Sequence, residues 1–150
     1  AKLVLTDVDR DSLGMLVSEL SAESVAPDAV FDADVDVFAP CALGAVLTDE
    51  VAERLKAKVI CGAANNQLAT AAVAGRLQAR GILYTPDYVA NAGGVIEVEA
   101  QRHQRYNRDS VMRHVERIAE TVDEILSRAQ SEDKSPAAVA DQLARERLAG

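Results

Sequence analysis

The feature that most constrains this chain is an alternation. Short apolar runs stand at LVL near the start, VDVF at 35–38, KVIC at 58–61 and ILY at 82–84. Between them lie longer segments in which apolar residues recur every three or four positions, as Leu13, Leu16, Val17 and Leu20 do. The runs are too short for helices, and the segments between them are long enough to carry a chain back to the start of the next strand. The predicted class is therefore α/β, with a parallel sheet covered on both faces. Apolar residues make up 49% of the chain but aromatics only 3%, so its core must be built from Val, Leu, Ile and Ala.

Within this frame, Thr48 is expected to open a helix. The acid or amide that would complete a capping box is replaced by Val51, but Asp49 and Glu50 still suit the positive end of the helix. After TPDYVANAGG the pattern turns wholly helical. Val111, Val115, Ile118, Val122, Ile125 and Leu126 line one face of a long amphipathic helix, SEDKSP breaks it, and Pro136 fits the first turn of a last helix. The expected division is 1–95 as a partial nucleotide-binding unit and 96–150 as a helical segment packed on it.

Composition narrows the function. A formal net charge of −8 argues against a nucleic-acid surface, which needs clustered Lys and Arg. No stretch reaches the roughly 20 apolar residues of a membrane span, and the first residues do not resemble a signal peptide, so a cytoplasmic location is expected. Cys41 and Cys61 lie in apolar settings without CxxC spacing and read as buried thiols, not as a zinc or disulfide pair. No metal site is expected. DADVD spaces acids at alternate positions, but counting from Asp32 the sixth and twelfth loop positions are Val37 and Leu43, where a calcium loop needs Gly and Glu. Asp28, Asp32, Asp34 and Asp36 then form an acidic edge. His103 and His114 lack partners at a telling spacing and read as exposed helix residues.

In open parallel sheets, ligands bind beyond the carboxyl ends of the strands. Here those ends are TDVD, APCALGA, GAANNQ and TPDYVANAGG, mostly small residues that allow close approach to the backbone. Asp7 has the position of an acid that bonds the adenosine ribose in a dinucleotide fold, or else it caps a helix or is a solvated acid. The glycine fingerprint belonging to such an acid would lie roughly 20 residues earlier. The expectation is thus a Rossmann-like sheet lacking its first strand and Gly-rich loop, followed by C-terminal helices. Asn65 and Asn66 either cap a helix beginning near Gln67 or turn an amide toward a ligand. The same alternatives hold for Asn91, and the adjacent Gly93 and Gly94 favour a ligand.

Taken in order, "DVFAPCALG", "LKAKVICGAANNQL", "RGILYTPDYVANAGGVI" and, more loosely, "YNRDSV" resemble the amino acid dehydrogenases acting on leucine, valine and phenylalanine, relatives of glutamate dehydrogenase. The resemblance implies NAD as cofactor, oxidative deamination of a branched-chain or aromatic amino acid as the reaction, and a homo-oligomeric full-length protein. It implies that Asp7 binds the adenosine ribose, that Ala39, Pro40, Cys41 and Ala42 line the cofactor with their backbone, and that Asn66 and Asn91 reach its nicotinamide end. Asn66 would also touch the substrate, with Ala92, Val95 and Ile96 shaping an apolar side-chain pocket. The family's catalytic lysines and aspartate belong to another domain, so no catalytic residue is assigned here and the chain alone is expected to be inactive. Two departures stand out, Ala45 where many members have Gly and Thr85 where Ala is usual; the segment VEAQRHQRYN is also more charged than its usual equivalent. The alternatives are a non-catalytic nucleotide-binding or interaction module, and, less well supported, a flavodoxin-like regulatory domain.

Overall fold

In the computed structural model, which describes residues 1–102 and 106–149, five short strands alternate with helices before the chain turns all-helical. The strands are β1 (Val4–Leu5), β2 (Glu23–Ser24), β3 (Val37–Phe38), β4 (Val59–Ile60) and β5 (Leu83–Tyr84). The helices are α1 (Arg10–Leu20), α2 (Asp49–Arg54), α3 (Ala72–Ala79), α4 (Asp87–Ala90), α5 (Gly93–Arg102), α6 (Arg108–Glu132) and α7 (Pro136–Ala149). All strand pairs are parallel. They form two separate sheets, β1–β2 and β3–β4–β5, in place of the single covered sheet expected. His103 and part of VEAQRHQRYN lie outside the described residues, and His114 is exposed on α6.

Local chemistry sets the helix ends. Asp9 caps α1, its carboxylate accepting from the backbone N–H groups of Asp11 and Ser12. Thr48 caps α2 despite the incomplete box, its Oγ1 accepting from the Val51 N–H at 3.1 Å. Pro136 opens α7 as expected, because an N–H at that position would have no helical partner.

The three-stranded sheet holds the main core. Phe38, Ile60 and Tyr84 from the strands pack with Leu47, Val51, Leu55, Val73 and Leu77 from the flanking helices and loops. A second cluster of Ile125, Ala129, Val139, Ala140 and Leu143 joins α6 to α7, with Val89 against it. Arg128 reinforces this pair by bonding both carboxylate oxygens of Glu146, at 2.9 and 3.1 Å, and holds that carboxyl down at about 2. Three of the four acids of the acidic edge are paired: Arg54 meets Asp28 and Asp32 while lying over the Phe31 ring, and Lys58 meets Asp36. Among the described residues no helix is long and apolar enough to cross a membrane.

Candidate functional site

The loops that follow β3, β4 and β5 meet one another, and their fit depends on small residues. At Gly62 an added Cβ would collide with the backbone and ring of Pro40, closer than real Cβ contacts ever come, and at Gly44 it would lie 2.6 Å from the Asn65 carbonyl oxygen. The Pro40 carbonyl accepts from the Ala64 N–H at 2.9 Å, so two strand-end loops are tied directly. Pro40 is buried by this contact, while Ala39, Cys41 and Ala42 remain exposed.

The asparagine pair does not cap a helix. Helix α3 begins at Ala72, with Ala71 at its cap, several residues beyond the expected start. The cause is a long-range pairing that extends the chain there. Leu47 N–H donates to the Gln67 carbonyl at 3.0 Å, Ala69 N–H donates to the Leu47 carbonyl at 2.9 Å, and Leu47 and Leu68 form a parallel bridge. Asn66 turns the chain into this pairing with a left-handed backbone, φ 53°, a conformation Asn tolerates better than most residues. Its carbonyl accepts from Ala45 N–H at 2.6 Å, and Ala45 is itself left-handed at φ 57°. The position where the sequence departs from Gly is therefore one whose backbone favours Gly.

The cysteines are also corrected. Both Cys41 and Cys61 are free and exposed, because β3 ends at Phe38 and β4 at Ile60, which leaves them in the loops beyond the sheet.

A buried carboxylate anchors the assembly. Asp87 Oδ2 accepts from the Gln67 N–H at 2.8 Å and Oδ1 from the Tyr88 N–H at 2.7 Å, which joins the loop after β4 to the start of α4. Gln67 is fully buried, its Nε2 donating to the carbonyls of Gly62 and Ala64 at 2.8 and 2.9 Å. No local signal in the sequence disclosed this partner 20 residues away.

Of the residues expected at the site, the structure joins some and separates others. Asn91, which ends α4, donates from Nδ2 to Asn65 Oδ1 at 2.7 Å; it meets Asn65 and not Asn66. Asn66 lines a cavity of about 170 Å³ with Leu68, Tyr84, Asp87, Tyr88 and Ala137. Ala92 and Ile96 line a different groove, of about 280 Å³, shared with apolar Val89 and Ile118 but also with His114, Arg117 and Arg147. Val95 is not on that wall; it is 73% exposed on α5, with Val98 one turn on at 64%. Val98 did not figure in the sequence reading, although its i+3 spacing from Val95 could have revealed it. Asp7 lies at the end of β1 in the other sheet. It is exposed, its Oδ1 accepting from Asp9 N–H at 2.9 Å, and because Asp9 takes the helix cap, Asp7 does not act as one.

Electrostatically the two loops at 39–45 and 61–68 contain no ionisable side chain other than the cysteines. Burial pushes the Tyr84 phenol up to about 12, and burial together with its hydrogen bond to Asp141 raises that of Tyr88. Both stay protonated near neutrality, and the carboxylate beside them, Asp87, has each oxygen engaged by a backbone N–H. Among the described residues no group of three His, Cys, Asp or Glu side chains could hold a metal ion. For a dinucleotide the fit is better: an exposed carboxylate at one strand end, and amides on loops packed to the limit that Gly44 and Gly62 permit.

Comparison with known proteins agrees with this arrangement. The family model for glutamate/leucine/phenylalanine/valine dehydrogenases matches residues 3–150. A leucine dehydrogenase from Thermoactinomyces intermedius is 44% identical over 148 residues, and a valine dehydrogenase from Streptomyces albus is 44% identical over 156. Each comparison covers 99% of this chain, but only 40% and 42% of the respective relatives, so the chain spans about two fifths of their length. Among solved structures, an L-tryptophan dehydrogenase from Nostoc punctiforme superposes with a TM-score of 0.94 at 36% identity, over 98% of this chain and 44% of that one. With its strand-end loops, their mutual ties and these matches in agreement, the chain belongs to the glutamate/leucine/phenylalanine/valine dehydrogenase family.

Proposed function

We propose that this chain is the cofactor-holding part of an NAD-dependent amino acid dehydrogenase that oxidatively deaminates a branched-chain or aromatic L-amino acid to a 2-oxo acid and ammonia. The observation that carries the reading is the junction of two neutral, amide-bearing loops at Asn65 and Asn91, in a chain that belongs to this family. When bound, NAD supplies the acceptor for the hydride leaving the substrate Cα. The protein's own residues bind and orient. Asp7 accepts hydrogen bonds from the adenosine ribose, the backbone at Ala39, Cys41 and Ala42 lies against the dinucleotide beside Pro40, and Asn66 and Asn91 address its nicotinamide end. This division assigns residues 1–95 to the nucleotide and uses the helices of 96–150 as a brace.

The substrate side chain is read from α5. Val95 and Val98 present an exposed apolar strip, next to the wall formed by Ala92 and Ile96. Arg117 and Arg147 stand on the same groove, so the preference for an aliphatic or aromatic side chain rests on the apolar residues of α5 and not on its charge.

Asp7 gives a direct test in the full-length protein. A carboxylate bonds ribose hydroxyls and repels a 2′-phosphate. Asp7→Ser is expected to narrow the preference for NAD over its 2′-phosphorylated form by roughly tenfold in kcat/KM, about 1.4 kcal/mol of discrimination. An unchanged ratio would make Asp7 a surface acid and remove the ribose contact from the proposal.

A further inference from the structure

Three oxygens surround the side-chain nitrogen of Asn91: Asn65 Oδ1 at 2.7 Å, the Ala64 carbonyl at 3.4 Å and the Ala63 carbonyl at 3.5 Å. An amide nitrogen only donates, and a carbonyl oxygen placed there would meet three acceptors. The carboxamide is therefore oriented with Nδ2 inward and Oδ1 outward. The contact with Asn65 is the shortest of the three and the one made by a side chain.

Both ends of this contact are held by other interactions. Asn91 N–H donates to the Asp87 carbonyl at 2.8 Å, closing α4. Asn65 stands between Ala64, tied to Pro40, and Asn66, tied to Ala45, and its carbonyl lies close against Gly44. The following residue, Gln67, is fixed by Asp87. With the two backbones set, the remaining freedom is rotation of the Asn91 carboxamide about its last bond, a soft torsion with two states that exchange oxygen for nitrogen.

We infer that Asn65 is a positioning residue: by accepting from Asn91 Nδ2 it fixes the Asn91 carboxamide so that Oδ1 projects from the loop as an acceptor for the amide N–H2 of the nicotinamide. The inference rests on the assignment of Asn91 to the cofactor under Proposed function. Without Asn65 the amide turns over part of the time and offers N–H2 to N–H2, which removes one bond and brings two donors together.

The test compares two cofactors in the full-length protein: NAD, and its 3-acetylpyridine analogue, whose acetyl group has no N–H2 to donate. Asn65→Ala is expected to raise both the KM for NAD and its Kd, measured by binding titration without substrate, by roughly 5-fold to 30-fold, with little change in either for the analogue. Asn65→Asp keeps an acceptor toward Asn91 Nδ2 and is expected to stay within about 3-fold of the parent with NAD, within the spread of a retained hydrogen bond. Asn91→Ala should abolish the discrimination between the two cofactors. If Asn91→Ala abolishes it while Asn65→Ala leaves it intact or weakens both cofactors equally, the positioning role is wrong and the assignment of Asn91 stands. If Asn91→Ala leaves the discrimination unchanged, the assignment of Asn91 fails and the role of Asn65 fails with it.

Discussion

Residues 1–37 and residues 38–91 follow the same local rules but differ in what covers them. In the first stretch β1, α1 and β2 are formed, capped and paired in parallel, yet no residue before Phe38 is buried, and Met15, Leu16 and Leu20 are 68%, 46% and 47% exposed. In the second, Leu47, Ala52, Ile60 and Leu77 are completely enclosed. Forming a helix requires a cap and an apolar period; stabilising it requires a second layer. Within residues 1–150, enclosure is concentrated around the β3–β4–β5 sheet, the part that also presents the amide-bearing loops.

Substituting one leucine in each stretch would break or sharpen this contrast. Leu77→Ala opens a cavity at a fully buried position and is expected to cost about 2 to 5 kcal/mol, whereas Leu16→Ala, on the exposed face of α1, should stay within about 0.5 kcal/mol. Denaturant midpoints of the two variants check this directly. Equal losses would mean that α1 is enclosed as fully as α3 and that the contrast does not hold.

A smaller effect, of opposite sign, is expected inside the well-packed stretch. Ala45 holds φ 57°, where a Cβ costs about 1 to 2 kcal/mol, while replacing Ala by Gly loosens the unfolded chain by about 0.4 to 1 kcal/mol. The balance predicts that Ala45→Gly stabilises the protein by roughly 0.5 to 1 kcal/mol. Thermal denaturation of the pair measures it, and a lower midpoint for the glycine variant would show that the left-handed turn carries no strain.

Much of the fold was legible because its signals are local. The α1 period, the Thr48 cap, Pro136 at the start of α7 and the apolar face of α6 each depend on residues within a turn or two. What was not legible depends on distant partners. Asn65 and Asn66 have the side chains of a helix cap, but pairing with the 45–47 segment draws the chain out and postpones α3 to Ala72. Cys61 reads as the end of a buried strand, yet that strand stops at Ile60. Asp87 has no sequence signal of its own, and only the folded chain brings the Gln67 N–H to its carboxylate. At the candidate site the motifs identified the loops, while the partnership of Asn91 with Asn65 instead of Asn66 emerged only from the geometry.

The central claim, that these loops serve the cofactor side of an amino acid dehydrogenase for apolar substrates, is tested most directly by initial rates of NAD reduction in the full-length protein. The substrates are leucine, valine, phenylalanine, tryptophan and glutamate at matched concentration. The apolar strip of Val95 and Val98 predicts turnover of at least one aliphatic or aromatic amino acid and a kcat/KM for glutamate lower by roughly 100-fold or more, the effect of about 3 kcal/mol of desolvating a carboxylate against an apolar surface. Preferred turnover of glutamate, or no reduction of NAD with any of the five, would contradict the account.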